Sequence, residues 1–571
     1  MLSFSQYLFE TYDAEQNKRI VFIDEENLEE KFSISDYFKK QGYEVYYSLK
    51  SSILFGKAKE NSPNCKALLS SPLSHLRLAD ILSLACIPPS LAVIGTTQTP
   101  FPYRVNVENL QKYTDKKILI IVRQKRDIPN EIRDICCVKR INFEDIFPEL
   151  NPKAIKERIL TNIQLDLLCF TLSKNPPINS LNYRETLEFI SERVFNNNNI
   201  FCFIKALEIS IDSKALVKKQ MNNKPTPYDW YEIINQYADL ELLAVESDLE
   251  SKYYNEIQKV INKSNVDFQE YLLENFCRLH NFTSSKSPIL VNNVLDFIHQ
   301  KSKKFALIVM DGMSFFDWKA ISYNFKTIKY NQSFALAMIP TITSISRQSL
   351  LSGKFPMNLE RIWDLSMEEK EFKESAKNLG YKDYEISYLK KKLSTITQLS
   401  DDCNNDFLSI ENDVTLNTKA LAVIINDIDD LVHQSRNRKA LLNSIKEYNI
   451  SEKLENLINS LIKNKFAIFI TADHGNTQCI GMGNCGKNGV ETTSKGKRML
   501  VLKNYANKTE LINKFNLIEL PKDYLKEDYD YFVCPLNKAF DTPNNKFMSH
   551  GGITLDEVIV PFIEIEGNQN D

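Results

Sequence analysis

Phe466-Ala467-Ile468-Phe469-Ile470-Thr471-Ala472-Asp473-His474-Gly475-Asn476 is the stretch from which the fold can be read. Uncharged, mostly apolar residues lead into adjacent Asp and His, and a glycine follows. A short apolar run bounded in this way predicts a buried strand. The strand delivers two ligand-type side chains at its C-terminal end. Neighbours on an extended strand point apart, so a turn at Gly475 is needed to aim both at one metal ion.

Working outward, three further segments place polar groups near one end of a strand. Phe305 to Met310 runs into Asp311-Gly312. Leu421 to Asn426 runs into Asp427-Ile428-Asp429-Asp430-Leu431-Val432-His433, in which Asp429 and His433 are four apart and share a face if a helix begins there. Ser549-His550-Gly551-Gly552 precedes the apolar run Val558 to Ile563. A fourth block, Pro340 to Gly353, gathers hydroxyls ahead of a predicted helix. Each segment also has an ordinary reading. Asp-Gly serves turns, acidic residues favour helix starts, and a hydroxyl can simply cap a helix. A helix N-terminus also favours an alkoxide and binds phosphate, and Arg347 could hold phosphate through two hydrogen bonds. Together the segments supply, as candidate ligands, Asp311, Asp429 and Asp473 and three of the chain's six His. Such mixed N/O sets suit zinc or manganese. From about residue 296 to 571 the alternation of strand-like and helix-like stretches predicts an α/β, doubly wound sheet, which binds ligands beyond the C-terminal ends of its strands.

Residues 1–148 read as an N-terminal α/β domain, with strand-like runs at Arg19 to Ile23, Tyr43 to Tyr47 and Lys117 to Val122. Asp24-Glu25-Glu26 gives it a receiver-like start. Val122 is followed by Arg123-Gln124-Lys125-Arg126, with no aspartate where a phosphoacceptor would stand. Residues 149–295 read as a helical linking and bracing domain. Ile159, Leu160, Ile163, Leu167, Leu168 and Phe170 recur at helical spacing, as do Val266, Phe268, Leu272, Leu273, Phe276 and Leu279. His75, His280 and His299 lack ligand-type partners at a useful spacing and read as structural.

The chain's 571 residues exceed what one core organises. A net charge of -3 excludes a global basic field for nucleic acid, so any such contact needs a local patch. No apolar run approaches the ~20 residues that span a bilayer, and Met1 to Gln16 does not read as a signal peptide. Eleven scattered cysteines then read as reduced thiols, which gives a cytoplasmic protein without membrane attachment.

The ordered set resembles the alkaline phosphatase superfamily, and in particular the PglZ family of bacterial phage-exclusion (BREX) systems, over about residues 300–566. Asp311-Gly312, Pro340 to Gly353, Asp429 with His433, Thr471 to Gly475 and Ser549 to Pro561 carry the resemblance. It implies a phosphodiesterase or phosphatase, nuclease action included, that uses two divalent ions, Zn2+ or Mn2+. One ion would be held by Asp311, Asp473, His474 and the Thr343 hydroxyl, the other by Asp429, His433 and His550. Thr343 stands in the nucleophile place, with Thr341, Ser344 and Ser346 close by. Ser346 or Arg347 would hold a phosphate oxygen. The implied substrate is a phosphate ester, with nucleotides and nucleic acid among the candidates, and the implied partners are other proteins of a phage-defence complex. A metal-bound scaffold with little catalysis is the alternative. A phosphomutase reading is disfavoured by the short span from Gly353 to Leu421, which leaves little room for a cap domain. The glycine-rich loop from Cys479 to Thr493 has no assigned role.

Overall fold

The computed structural model describes residues 3–48, 117–206 and 225–566, apart from 33, 126–127, 129–132, 134–135, 160–161, 250, 326–327, 394–413 and 486–495. His75 and the second half of the Cys479 to Thr493 loop lie outside the described residues. The chain divides into two compact units, Met1–Leu207 and Glu208–Asp571.

The first unit is built on four parallel strands, in the order Glu44–Ser48, Ile118–Val122, Arg19–Ile23 and Cys137–Arg140. Ile118–Val122 is buried along its whole length, as an inner parallel strand must be. The acidic start after Ile23 has a structural use. Asp24 is buried, and its two carboxylate oxygens accept the N–H groups of Leu28 and Glu29 at 2.8 and 2.9 Å, closing the start of the helix Leu28–Phe32. Helix Asn162–Lys174 packs on helix Phe4–Thr11, and the Phe4 N–H donates to Asp166 at 2.6 Å.

The helical stretch read as one domain over 149–295 is shared between the units. Its later helices, Pro227–Glu246 and Ser251–Asn275, bury Trp230, Ile234, Leu242, Phe268 and Leu272 in the core of the second unit. Burial of apolar faces decides this grouping. Val266 does not take part and is exposed, because it falls one residue out of the Ile257, Ile261, Phe268, Leu272 face.

A seven-stranded mixed sheet organises the second unit. Its order is Ile289–Leu290, Tyr330–Leu336, Ile559–Ile565, Ala467–Thr471, Phe305–Met310, Ala420–Ile425 and Ile386–Lys390. Phe305–Met310 and Ala420–Ile425 are buried throughout and read as continuous apolar runs. All strands run in one direction except Ile559–Ile565, which is antiparallel to both neighbours. One edge of the sheet therefore collects the C-terminal ends of the strands that precede Asp311, Asp427 and Asp473. The same edge receives the N-terminal end of the strand that follows His550. A smaller sheet adds a second constraint. Thr477–Gly481 pairs antiparallel with Lys546–Ser549, with Thr477 opposite Ser549. Cys479 thus lies in a strand rather than in the loop expected there.

Candidate metal centre

Gly312 has φ +71°, a left-handed conformation that favours glycine, and this turn follows Asp311 directly. At Gly475 the need for glycine is spatial, since an added Cβ would lie 1.9 Å from the Asp556 carbonyl oxygen. Across the small sheet, the Thr477–Ser549 pairing brings the Asp473-His474 turn beside His550. The rings of His474 and His550 stack with centroids 4.1 Å apart.

The structure brings six of the seven expected ligands into two clusters, each with its ligand atoms within 4.8 Å of one another. Asp311, Asp473 and His474 form the first. His474 Nε2 is 3.8 Å from Asp311 Oδ1 and 3.8 Å from Asp473 Oδ2. Asp429, His433 and His550 form the second. Asp429 and His433 share one face of helix Asp427–Gln434, 3.1 Å apart, and His550 Nε2 is 3.5 Å from Asp429 Oδ1. The seventh, Thr343, opens helix Thr343–Ser352, and its hydroxyl is 3.1 Å from His474 Nε2.

The donor set fits divalent cations. Asp311 Oδ1, Asp473 Oδ2, His433 Nε2 and His550 Nε2 are buried atoms without a hydrogen-bond partner among the described residues, a costly state unless something else is bound there. The other nitrogen of each buried histidine is already engaged. His474 Nδ1 donates to the Gly475 carbonyl and His550 Nδ1 to that of Thr341, both at 3.1 Å. These bonds assign each ring the tautomer whose Nε2 lone pair faces its cluster. Burial lowers the His474 pKa, and burial with the neighbouring His474 lowers that of His550 to about 3, so both rings stay neutral. Burial, and then Asp311, push the Asp473 carboxyl well above the usual range. Burial acts to raise Asp429 too, but the adjacent His433 and His550 outweigh it and hold Asp429 below the usual range.

The hydroxyls of the Pro340 to Gly353 block divide by partner. Thr341 Oγ1 donates to the Gly552 carbonyl at 2.8 Å, and Ser346 Oγ donates to that of Asp473 at 2.5 Å. Ser344 Oγ is buried without a hydrogen-bond partner among the described residues. Ser346 and Arg347, expected to hold a phosphate oxygen, are both buried; Ser346 is bonded to main chain, and Arg347 pairs with Asp311 and Glu368.

Sequence reasoning missed the residues that brace the turns beside these ligands. Arg438 donates to Asn476 Oδ1 at 2.8 Å and pairs with Glu241 and Asp556, both at 3.2 Å. Burial lifts the Asp556 carboxyl to about 7 against the pull of Arg438. Arg498 donates to Glu557 at 2.9 Å, and Glu557 accepts the Gly552 and Thr554 N–H groups, fixing the turn after His550. Asn476, Asp556 and Glu557 stand inside the quoted motifs, which was the available signal. Nothing distinguishes Arg438 and Arg498 from surface arginines in the sequence. His280 and His299 bond to Tyr524 and Tyr381, outside both clusters.

The second unit carries an alkaline phosphatase-like hydrolase domain. Residues 289–565 match the family described as the BREX system PglZ alkaline phosphatase-like domain, and this stretch of the chain is a PglZ domain. Among solved structures, murine ectonucleotide pyrophosphatase/phosphodiesterase 5 is 14% identical with a TM-score of 0.31, over 46% of this chain and 88% of that one. Phosphonoacetate hydrolase from Sinorhizobium meliloti 1021 is 14% identical with a TM-score of 0.30, over 46% of this chain and 90% of that one. Overlaps this slight leave the site to be argued from its own residues. No curated protein matches the chain.

Proposed function

We propose that the chain is a metal-dependent phosphodiesterase or phosphatase with Thr343 as its nucleophile. The observation that carries this reading is the pair of buried clusters with their orphaned ligand atoms, beside a helix that begins at Thr343. Asp311, Asp473, His474 and Thr343 would hold one divalent cation, and Asp429, His433 and His550 the other. Zn2+ suits these sets, and Mn2+ is the alternative. The cations would supply positive charge that eases ionisation of the hydroxyl and stabilises the leaving oxygen.

The chain's own groups do the rest. The Thr343 oxygen attacks phosphorus in line, the bond to the leaving oxygen breaks, and a phosphothreonine forms. Water then cleaves it and restores the hydroxyl. The positive end of helix Thr343–Ser352 favours the negative charge that develops at its first residue. His474 and His550, held neutral by burial, remain ligands rather than acids across the physiological range. The substrate is a phosphate ester, nucleotides and nucleic acid included. The partners are proteins of a phage-defence complex. The eight described cysteines are free, which fits work in a reducing cytoplasm.

Thr343→Ala should abolish hydrolysis of a chromogenic phosphodiester while metal content stays near that of the unchanged protein. Full activity in that variant would remove Thr343 from the mechanism. Bound metal without hydrolysis of any ester by the unchanged protein would favour a scaffolding role.

A further inference from the structure

Two buried residues adjoin the first cluster without belonging to it. Arg347 lies on helix Thr343–Ser352 and is 1% exposed. Its Nη1 donates to Asp311 Oδ2 at 2.6 Å and lies 3.9 Å from Asp473 Oδ2. Its Nε donates to Glu368 Oε1 at 2.7 Å. Glu368, also 1% exposed, begins helix Glu368–Asn378, and its second oxygen accepts from Tyr388 at 3.0 Å and Lys390 at 3.2 Å.

A planar guanidinium bonded to carboxylates on two sides has little freedom to turn. Asp311 is consequently held by one oxygen, while Oδ1, on the side of His474, has no hydrogen-bond partner among the described residues. We infer that Glu368 and Arg347 are positioning residues of the first cluster: Glu368 fixes the guanidinium, and Arg347 pins Asp311 so that it offers a cation one oxygen instead of two. This rests on the two-cation reading above. A carboxylate without that pin can rotate and chelate through both oxygens, which changes the cation's coordination. Neither Arg347 nor Glu368 belongs to the ligand set, and Arg347→Met also removes a positive charge beside it, so the variants should keep their metal and lose its geometry.

The test uses the full chain loaded with Co2+, whose visible absorption reports coordination number and symmetry. The unchanged protein is compared with Arg347→Met, Arg347→Lys and Glu368→Gln, and inhibition by inorganic phosphate is measured on the same samples. The expected result is full Co2+ uptake in all, with altered spectra in Arg347→Met and Glu368→Gln and a smaller change in Arg347→Lys. Turnover falls about 10–100-fold, the usual range for groups that orient a ligand, and phosphate inhibition is unchanged. Should Arg347→Met fail to fold, Glu368→Gln, which keeps the side chain's shape, decides the matter. Spectra that superimpose on that of the unchanged protein overturn the inference, and weakened phosphate inhibition beside them makes Arg347 an anion contact. Absence of Co2+ from the unchanged protein overturns the two-cation reading itself, and this inference with it.

Discussion

At Gly475 there is no room for a methyl group, because the Asp556 carbonyl oxygen already occupies the place of a Cβ. Gly475→Ala must push the turn that carries Asp473 and His474 off Asp556, at about 1–3 kcal/mol or more by the usual cost of overpacking. Its melting temperature and metal content should both fall, and neither changing would contradict the turn's geometry. Asp473 makes a second prediction. Burial and Asp311 favour the protonated carboxyl in the metal-free cluster, and a cation competes with that proton. Metal binding should therefore release protons and tighten as pH rises. Calorimetry in buffers of different ionisation enthalpy reads this directly, and a heat independent of buffer would contradict it. His550 gives the opposite handle on folding. Its pKa is about 3 in the folded chain and about 6.5 in an unfolded one. Between those values the unfolded chain binds more protons, so this contribution is fully present above pH ~6.5 and is lost as pH falls toward 3. Raised carboxyls such as Asp473 and Asp556 act with the opposite sign. The His550 part is thus read as the difference between the unchanged protein and His550→Gln in urea unfolding with chelator, at several pH values. Identical pH slopes would contradict it.

Among elements, the turn from Ser549 to Thr554 depends on a buried ion pair. Arg498 and Glu557 are both fully buried, and Glu557 also accepts from Gly552 and Thr554. Removing one partner of such a pair costs about 3–5 kcal/mol. Glu557→Ala should lower the melting temperature and weaken the second cation's binding more than the first's, because this turn carries His550. Equal loss at both in a metal titration would contradict that assignment. This element also marks the limit of what the sequence discloses. The strands ending at Asp311 and Asp473 could be read from apolar runs, and the Asp429–His433 face from its spacing. The pairing of Thr477 with Ser549, which brings His474 beside His550, joins segments too distant for any local pattern to link. The buried partners of Arg347, Arg438 and Arg498 were hidden for a related reason. A charged side chain does not disclose its burial until the tertiary fold supplies its counter-charge. The antiparallel direction of Ile559–Ile565 likewise leaves no trace in its composition.

At the scale of the molecule, the PglZ domain does not stand alone. Helices Pro227–Glu246 and Ser251–Asn275 precede residue 289, yet they contribute Trp230, Phe268 and Leu272 to its core. They also supply Glu241 to Arg438 and the Asn265 oxygen to the Leu555 N–H. A fragment of residues 208–571 should unfold cooperatively and bind cations. One of residues 285–571 should lose the cooperative transition, and equal behaviour of the two would contradict this grouping. No helix among the described residues is long and apolar enough to cross a membrane. The central claim is that the two clusters hold the cations of a phosphoryl-transfer site. Its most direct test is the metal content of the purified chain beside Asp473→Ala and His550→Ala, with phosphodiester hydrolysis assayed on the same samples. The account predicts about two zinc or manganese ions per chain, as two-metal sites hold, with metal and hydrolysis falling together in both variants. A chain that binds no metal, or hydrolysis that survives the loss of either ligand, would contradict it.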